Sequence, residues 1–253
     1  MYQHFILIAS SYSKGERIGF HLVKEGKLDN AIIEEKMKRL SQINRNDVGV
    51  HSFVTDSADW QSVIELDSFF EDIMVCQDFD EFERVLQIDS KVSAVDIAKF
   101  FLAMRPLSHL QLQKLVYLAY KEYLFKYKES LFDEKIVAFQ YGPVVEEVYQ
   151  KFKMYGSEVI EIDDHTEYIL KDKHLPQALG RMLLVEDAKK IVTILLDVIK
   201  QYGDLTGGQL VNLTHSHLGP WETVFRPFSN CEITDEIILA QGEYETLTRV
   251  IEC

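Results

Sequence analysis

Between Glu134 and Gly156 the chain reads EKIVAFQYGPVVEEVYQKFKMYG, and the spacing of its apolar positions changes within this stretch. Residues 135–139 mix polar and apolar types as a half-buried strand does. Because Pro143 has no N–H and a fixed φ, we expect it at the first position of a following helix. Gly156 stands where a left-handed C-terminal cap is expected. The predicted apolar face of this helix consists of Val144, Val145, Val148, Phe152 and Tyr155.

The first ninety residues predict a small α+β domain. The expected elements are strands over 5–9, 17–23 and 48–54, a helix over 31–43 that Asp29 caps, and a last helix that Asp80 caps and that ends at Leu86. The helix over 31–43 is predicted to turn one face to the core, formed by Ile32, Ile33, Met37, Leu40 and Ile43.

A polar segment at 88–91 predicts a domain boundary, which divides the chain into domains 1–90 and 91–253. The second domain is predicted to be mostly α-helical with a small β element, so the fold class is α+β. A weak alternation over 158–170 predicts a hairpin that turns at Asp163-Asp164. The expected helices are 94–103 capped by Ser93, 109–127 capped by Ser108, 184–202, 205–215 started by Asp204 or Thr206, and 235–251 capped by Thr234.

The net charge of the chain is −14, and it is unevenly distributed. Residues 51–90 contain eleven Asp or Glu residues and a single basic residue, Arg84. Such a block repels the phosphate backbone, so we expect no direct nucleic-acid binding, whereas a basic protein partner would be attracted. The three cysteines, Cys76, Cys231 and Cys253, are too far apart for a CxxC zinc site and are expected to be reduced thiols.

Neither a membrane nor a secretory location is indicated by the apolar runs. No run reaches the length of about 18 residues that a membrane span needs. The run at 5–9 is not preceded by a basic residue, as the start of a signal peptide would be. We therefore expect a cytoplasmic protein.

Three separated signatures occur in a fixed order along the second region. They are Leu112-Gln113-Lys114-Leu115-Val116-Tyr117-Leu118-Ala119, then Tyr141-Gly142-Pro143-Val144-Val145, then Leu213-Thr214-His215 with Pro220-Trp221. Their order and spacing closely resemble the Panacea domain, the family of the SocA-like antitoxins. The resemblance covers residues 93 to about 251.

The resemblance implies a mostly helical domain and an antitoxin role in bacterial or phage toxin–antitoxin pairs. Members neutralise unrelated protein toxins by direct contact, and one member hands its toxin to the protease ClpXP. Other members are known from prophages and mobile elements. The family has no accepted catalytic residues, so the resemblance implies neither an enzyme nor a cofactor. Between Thr214-His215 and Pro220-Trp221, where members often carry an acidic residue, this chain has Ser216-His217-Leu218-Gly219. Residues 1–90 lie outside the resemblance and are expected to fit the cognate toxin.

The alternatives are a metal-dependent hydrolase that uses His215 and His217, and a regulator or scaffold of a mobile element without a toxin. Asp163, Asp164 and His165 are the possible further metal ligands. Histidines at i and i+2 lie on opposite faces of a helix, and an HExxH motif is absent from the sequence. A GxSxG elbow for Ser216 is absent as well. The sequence therefore favours a binding protein without metal or catalytic residues.

Partner contacts are expected at the exposed side of the motif region. Lys114 and Lys153 are predicted to face solvent or to pair with Glu134 or Glu146. His215 is alternatively a buried hydrogen-bonding residue that secures the turn to Pro220 and Trp221. The aromatic residues of the motifs suit either a core or an interface. The predicted partner-binding residues are Tyr141, Glu146, Gln150, Lys153, His215, His217 and Trp221.

Overall fold

The computed structural model describes residues 1–12, 14–43, 45, 47–160 and 175–245. The chain divides into two compact units. One unit comprises Met1–Lys91 with Leu184–Glu186, and the other comprises Val92–Leu183 with Asp187–Cys253. The first unit is built on a sheet and the second mainly on helices, so the predicted α+β class is confirmed.

The first unit has a four-stranded sheet in the order β3-β1-β2-β4, with helices on both faces. β1 pairs antiparallel with both β2 and β3, whereas β4 runs parallel to β2. The strands are β1 (Tyr2–Ser11), β2 (Glu16–Glu25), β3 (Gly49–Thr55) and β4 (Ile73–Val75), and the helices are α1 (Asn30–Leu40), α2 (Trp60–Leu66) and α3 (Phe79–Ser90). A 3-10 turn, Ser68–Phe70, follows α2.

Alternate residues of β1 contribute to two separate cores. Phe5 and Leu7 belong to the core that includes residues of α1 and α3. Ile6 and Ile8 belong to the core on the opposite face, which α2 and the 3-10 turn complete. Because successive side chains of a strand point to opposite faces, a continuous apolar run suits a strand that is covered on both sides.

One expectation for the helices of the first unit was wrong, and another was confirmed only in part. Asp78, not Asp80, caps α3, because its extended backbone lets its carboxylate accept a bond from the Glu81 N–H at 2.8 Å. Of the predicted core face of α1, Ile33, Leu40 and Ile43 pack in the core, whereas Ile32 and Met37 are exposed. The inner side of α1 instead uses the stems of Lys36 and Arg39, whose cationic groups lie over the Phe79 ring.

The second unit is arranged around α5, which contacts α4, α8, α9 and β7. Most of the residues of α5 are buried, so the helix is covered on nearly all sides. The helices are α4 (Ala94–Met104), α5 (His109–Tyr127), α6 (Glu146–Phe152), α7 (Leu175–Leu183), α8 (Ala188–Tyr202), α9 (Gly207–Thr214), α10 (Pro220–Val224) and α11 (Asp235–Gln241). The strands are β5 (Leu107–Ser108), β6 (Ile136–Phe139), β7 (Gly142–Val145) and β8 (Val159–Ile160).

Pro143 lies in a strand and not at the start of a helix, which corrects the prediction. β6 and β7 form a hairpin in which Ala138 is opposite Pro143, and α6 begins only at Glu146. The N–H of Val145 donates to a side chain of α5, so it faces away from β6. Strand alternation turns the nitrogen of Pro143 to that same side, where a missing N–H removes no bond of the hairpin.

Further element boundaries also differ from the predictions. The helix predicted from residue 184 begins at Ala188, because Asp187 adopts a left-handed conformation with φ 56°. Gly156 has φ 55° and ψ −121°, so it is not a left-handed helical cap. Of the helix predicted over 235–251, the described residues form α11 and a short 3-10 turn, Gly242–Tyr244, and residues 246–251 lie outside them. β8 pairs with β5, and the predicted hairpin turn at Asp163-Asp164 lies outside the described residues.

Candidate functional site

The side chain of Lys114 is buried at the centre of the second unit, against the expectation that it faces solvent. Its Nζ donates a hydrogen bond to the carbonyl oxygen of Pro143 at 2.8 Å. Burial lowers the pKa of Lys114 to about 7, although the carboxylate of Glu245 acts in the opposite direction. Lys114 therefore joins α5 to the main chain of β7.

The neighbouring residue Gln113 makes a second bond from α5 to the same strand. Its Oε1 accepts the N–H of Val145 at 3.1 Å, and its Nε2 lies 3.3 Å from Nε2 of His109. Gln113 and Lys114 thus satisfy one main-chain donor and one main-chain acceptor of β7. Two consecutive residues of the first signature hold the strand that contains the second signature.

Two close neighbours leave no space for a side chain at the glycine of the second signature. A Cβ on Gly142 would lie 2.7 Å from Nζ of Lys114 and 2.9 Å from Oγ1 of Thr214. The φ of Gly142 is +104°, a conformation that L side chains rarely adopt. Thr214 belongs to the third signature, so residues of all three signatures meet at this glycine.

His215 and Trp221 stack face to face, with ring centroids 3.5 Å apart and an interplanar angle of 5°. The Nε1–H of Trp221 donates to the carbonyl oxygen of Phe139 at 2.7 Å, which fixes the end of β6. Burial lowers the pKa of His215 to about 4, and the charge of Lys114 makes a smaller contribution in the same direction. The imidazole is therefore neutral at physiological pH, and it contacts Trp221 by ring stacking.

The three signatures therefore form one cluster of contacts around the β6–β7 hairpin. Residues 112–222 match the family model described as Antitoxin SocA-like, Panacea domain. The resemblance inferred from the signatures is confirmed.

The chain is also similar to a curated protein, "Antitoxin SocA" of Caulobacter vibrioides (strain NA1000 / CB15N). The two chains are 29% identical over 134 residues, which is 53% of this chain and 64% of that relative. The chain thus spans less than two thirds of the relative's length. No solved structure matches the chain.

His217 is exposed, unlike Lys114 and Gly142, and lies beside Glu222. Its Nδ1 is 3.0 Å and 3.2 Å from the two carboxylate oxygens of Glu222. The N–H of Leu218 donates to the same carboxylate at 2.7 Å and lowers the pKa of Glu222, with a smaller contribution from His217. Glu222 thereby closes the turn between α9 and α10.

The hydrolase alternative needs a group of metal ligands near His215 and His217. Within residues 1–160 and 175–245, less the few positions left undescribed, no group of three or more His, Cys, Asp or Glu side chains is arranged to hold a metal ion. The proposed distant ligands Asp163, Asp164 and His165 lie outside the described residues. In the part that the structure describes, His217 therefore has Glu222 beside it, but neither histidine belongs to a group of three such side chains.

The remaining predicted contact residues are exposed. Tyr141 is 62% exposed in the two-residue turn between β6 and β7. Glu146, Gln150 and Lys153 are exposed at a spacing of four and three residues, so they share one side of α6 and its continuation, and Lys153 donates to Gln150. These four positions lie in the hairpin turn or directly after β7 in the chain. They are more exposed than His215 and Trp221, which are only partly exposed.

Phe228 is a surface residue that the sequence analysis did not identify. It is fully exposed, and it has φ 62° in the turn closed by the bridge between Arg226 and Ser229. A bulky side chain rarely adopts a positive φ. The only sequence signal was the Pro227-Phe228 pair within a polar stretch.

Glu245 is a buried carboxylate that the sequence analysis also missed. The Tyr117 hydroxyl lies 3.0 Å from both of its oxygens, and Nζ of Lys121 lies 3.5 Å from one of them. Burial raises the pKa of Glu245 to about 7, against the opposing effect of Lys121 and Tyr117. Because 128 positions separate Tyr117 from Glu245, local sequence patterns contain no signal for this contact.

No helix within the described ranges combines the length and the apolar character that crossing a membrane requires.

Proposed function

We propose that this protein is an antitoxin that neutralises a cognate protein toxin by direct, non-covalent binding. The proposal rests on the match of residues 112–222 to the SocA-like Panacea family and on the similarity to a curated antitoxin. Toxin and antitoxin would meet in the cytoplasm. The comparisons do not favour a hydrolase that uses His215 and His217.

In this proposal the motif residues maintain the scaffold, and exposed residues around it contact the partner. Lys114, Gly142 and Trp221 are occupied by contacts within the chain. Tyr141, Glu146, Gln150, Lys153 and His217 would form the contact surface, with His215 and Trp221 supporting the hairpin beneath it.

Residues 1–90 would form the variable domain that selects the toxin. The acidic side chains of this region would attract a basic partner at long range. Neutralisation would result from covering the active surface of the toxin. Delivery to a protease such as ClpXP would be a further step after binding.

Co-expression with the product of the neighbouring open reading frame tests this function. The full chain should restore growth of cells that express that product and should retain it in a pull-down. Absence of both effects would contradict the antitoxin role and favour a regulator of a mobile element. The variant Tyr141→Ala, at the hairpin turn, is compared with the unmodified chain in both assays.

The same assay in cells without ClpX separates two mechanisms. Neutralisation by covering the toxin should persist in these cells. Loss of neutralisation with retained binding would show that the protease is required.

A further inference from the structure

β3 is an edge strand whose outer side has no partner strand in the described part of the chain. Its pairing with β1 continues without interruption from Gly49 to Thr55. The opposite edge is different, because β4 contains only three residues. A strand of seven residues offers a row of main-chain N–H and C=O groups to an added strand.

β3 has none of the features that protect exposed sheet edges in monomeric proteins. Its sequence, GVHSFVT, contains no charged residue and no proline, and its pairing with β1 has no bulge. Val50 is 50% exposed and Val54 is 55% exposed. The edge therefore suits a partner strand with apolar side chains on the face of these two valines.

The opposite face of β3 packs against a segment that is rich in acidic residues. His51 and Phe53 on this face contact Phe70, and the core here includes residues of α2. The segment 56–72, which contains α2, has six acidic residues and no Lys or Arg. These residues are Asp56, Asp59, Glu65, Asp67, Glu71 and Asp72, all exposed and without an ion pair in the described ranges. A cationic group that contacts this segment is the guanidinium of Arg17, which lies over the Phe69 ring.

We propose that β3 binds an extended segment of a protein partner as a fifth strand, with Lys or Arg residues of that segment facing the acidic side chains of 56–72. Alternate residues of the added strand would be apolar and would pack beside Val50 and Val54. Main-chain bonds would provide affinity, and the alternation of charge and apolar residues would provide selectivity. The identification of this segment as part of a toxin rests on the proposed function, whereas the recognition of a basic strand does not.

Synthetic peptides test strand addition on the full chain. The probe is an acetylated peptide VKVKVKV, and the controls are VEVEVEV and the non-alternating VVKKVKV. We expect the alternating basic peptide to bind, to slow hydrogen exchange of amides in 49–55, and to bind more weakly as salt rises from about 50 to about 500 mM. Equal binding of the acidic peptide, or protection elsewhere in the chain, would overturn the proposal.

Variants of β3 provide the matched comparison. Val50→Lys with Val54→Lys places positive charge at the edge and should weaken peptide binding by at least about tenfold. Val75→Lys, at the exposed end of β4, should leave binding unchanged. Thermal unfolding of both variants checks that the fold is retained, and the peptide measurement on the unmodified chain decides the proposal if either variant fails to fold.

Toxin neutralisation separates this proposal from the antitoxin function. If the double variant loses the peptide but still neutralises the neighbouring product, the toxin does not bind at β3 and the antitoxin function stands. If the unmodified chain fails to neutralise any product but binds the alternating basic peptide at β3, the antitoxin function falls and strand addition stands.

Discussion

The ammonium nitrogen of Lys114 lies 2.8 Å from the carbonyl oxygen of Pro143, inside the protein. Lys114 belongs to the first signature and Pro143 to the second, so this bond joins α5 to the hairpin. Gly142 makes the approach possible because it leaves the space beside the lysine unoccupied. The three signatures are thus explained to a large extent by contacts within the chain.

Gly142→Ala should destabilise the second unit by about 2–4 kcal/mol, because the new methyl group collides with Lys114 and Thr214 and the residue keeps a positive φ. Chemical denaturation measures the change. Gly26→Ala is the matched control, since Gly26 also has a positive φ but has open space around its Cβ position. The control should lose only about 1 kcal/mol. Equal losses would show that the space beside Lys114 is unimportant.

Lys114→Met should remove a pH dependence of the free energy of unfolding. The pKa of Lys114 is about 7 in the folded protein and 10.5 in the unfolded chain. The unfolded chain therefore binds more protons in this window, and the stability contribution falls as pH falls from 10.5 towards 7. The wild type should gain stability relative to the variant as pH rises, by at most about 1.4 kcal/mol per unit. Parallel stability curves for the two proteins would contradict this assignment.

Glu245→Gln should remove a pH dependence of opposite sign. The pKa of Glu245 is raised from 4.5 to about 7, so the folded protein holds a proton that the unfolded chain has released. The contribution to stability is full below pH 4.5 and is lost as pH rises through 7. Urea denaturation at several pH values, with the exposed Glu243→Gln as control, measures the difference. A wild-type curve that rises between pH 4.5 and 7 relative to Glu245→Gln would refute the shift.

Phe228→Gly should raise the stability of the protein by about 1 kcal/mol, because glycine adopts a positive φ without the strain of a side chain. Phe228→Ala is the control, since it removes the exposed ring and keeps the strain. The alanine variant should unfold near the wild-type temperature and the glycine variant above it. Equal shifts in both variants would mean that the ring, and not the backbone, determines the change.

Local sequence signals were sufficient for much of the helical structure. Ser93 and Ser108 cap α4 and α5 where predicted, and each forms a capping box with a residue three positions later. Thr206 does the same for α9. These contacts form between near neighbours, so the pattern of residue types contains the whole interaction.

The sequence by itself determined the α+β class, most strands of the first unit and the resemblance to the Panacea family. Only the tertiary structure decided the burial of Lys114, the place of Pro143 in a strand, the pairing of Glu245 with Tyr117 and the open edge of β3. Considered alone, a lysine in a helix is expected to face solvent, and a proline before two valines is expected to start a helix. Lys114 and Pro143 contact each other across 29 positions and Tyr117 and Glu245 across 128, and the free energy of such contacts outweighs local preference.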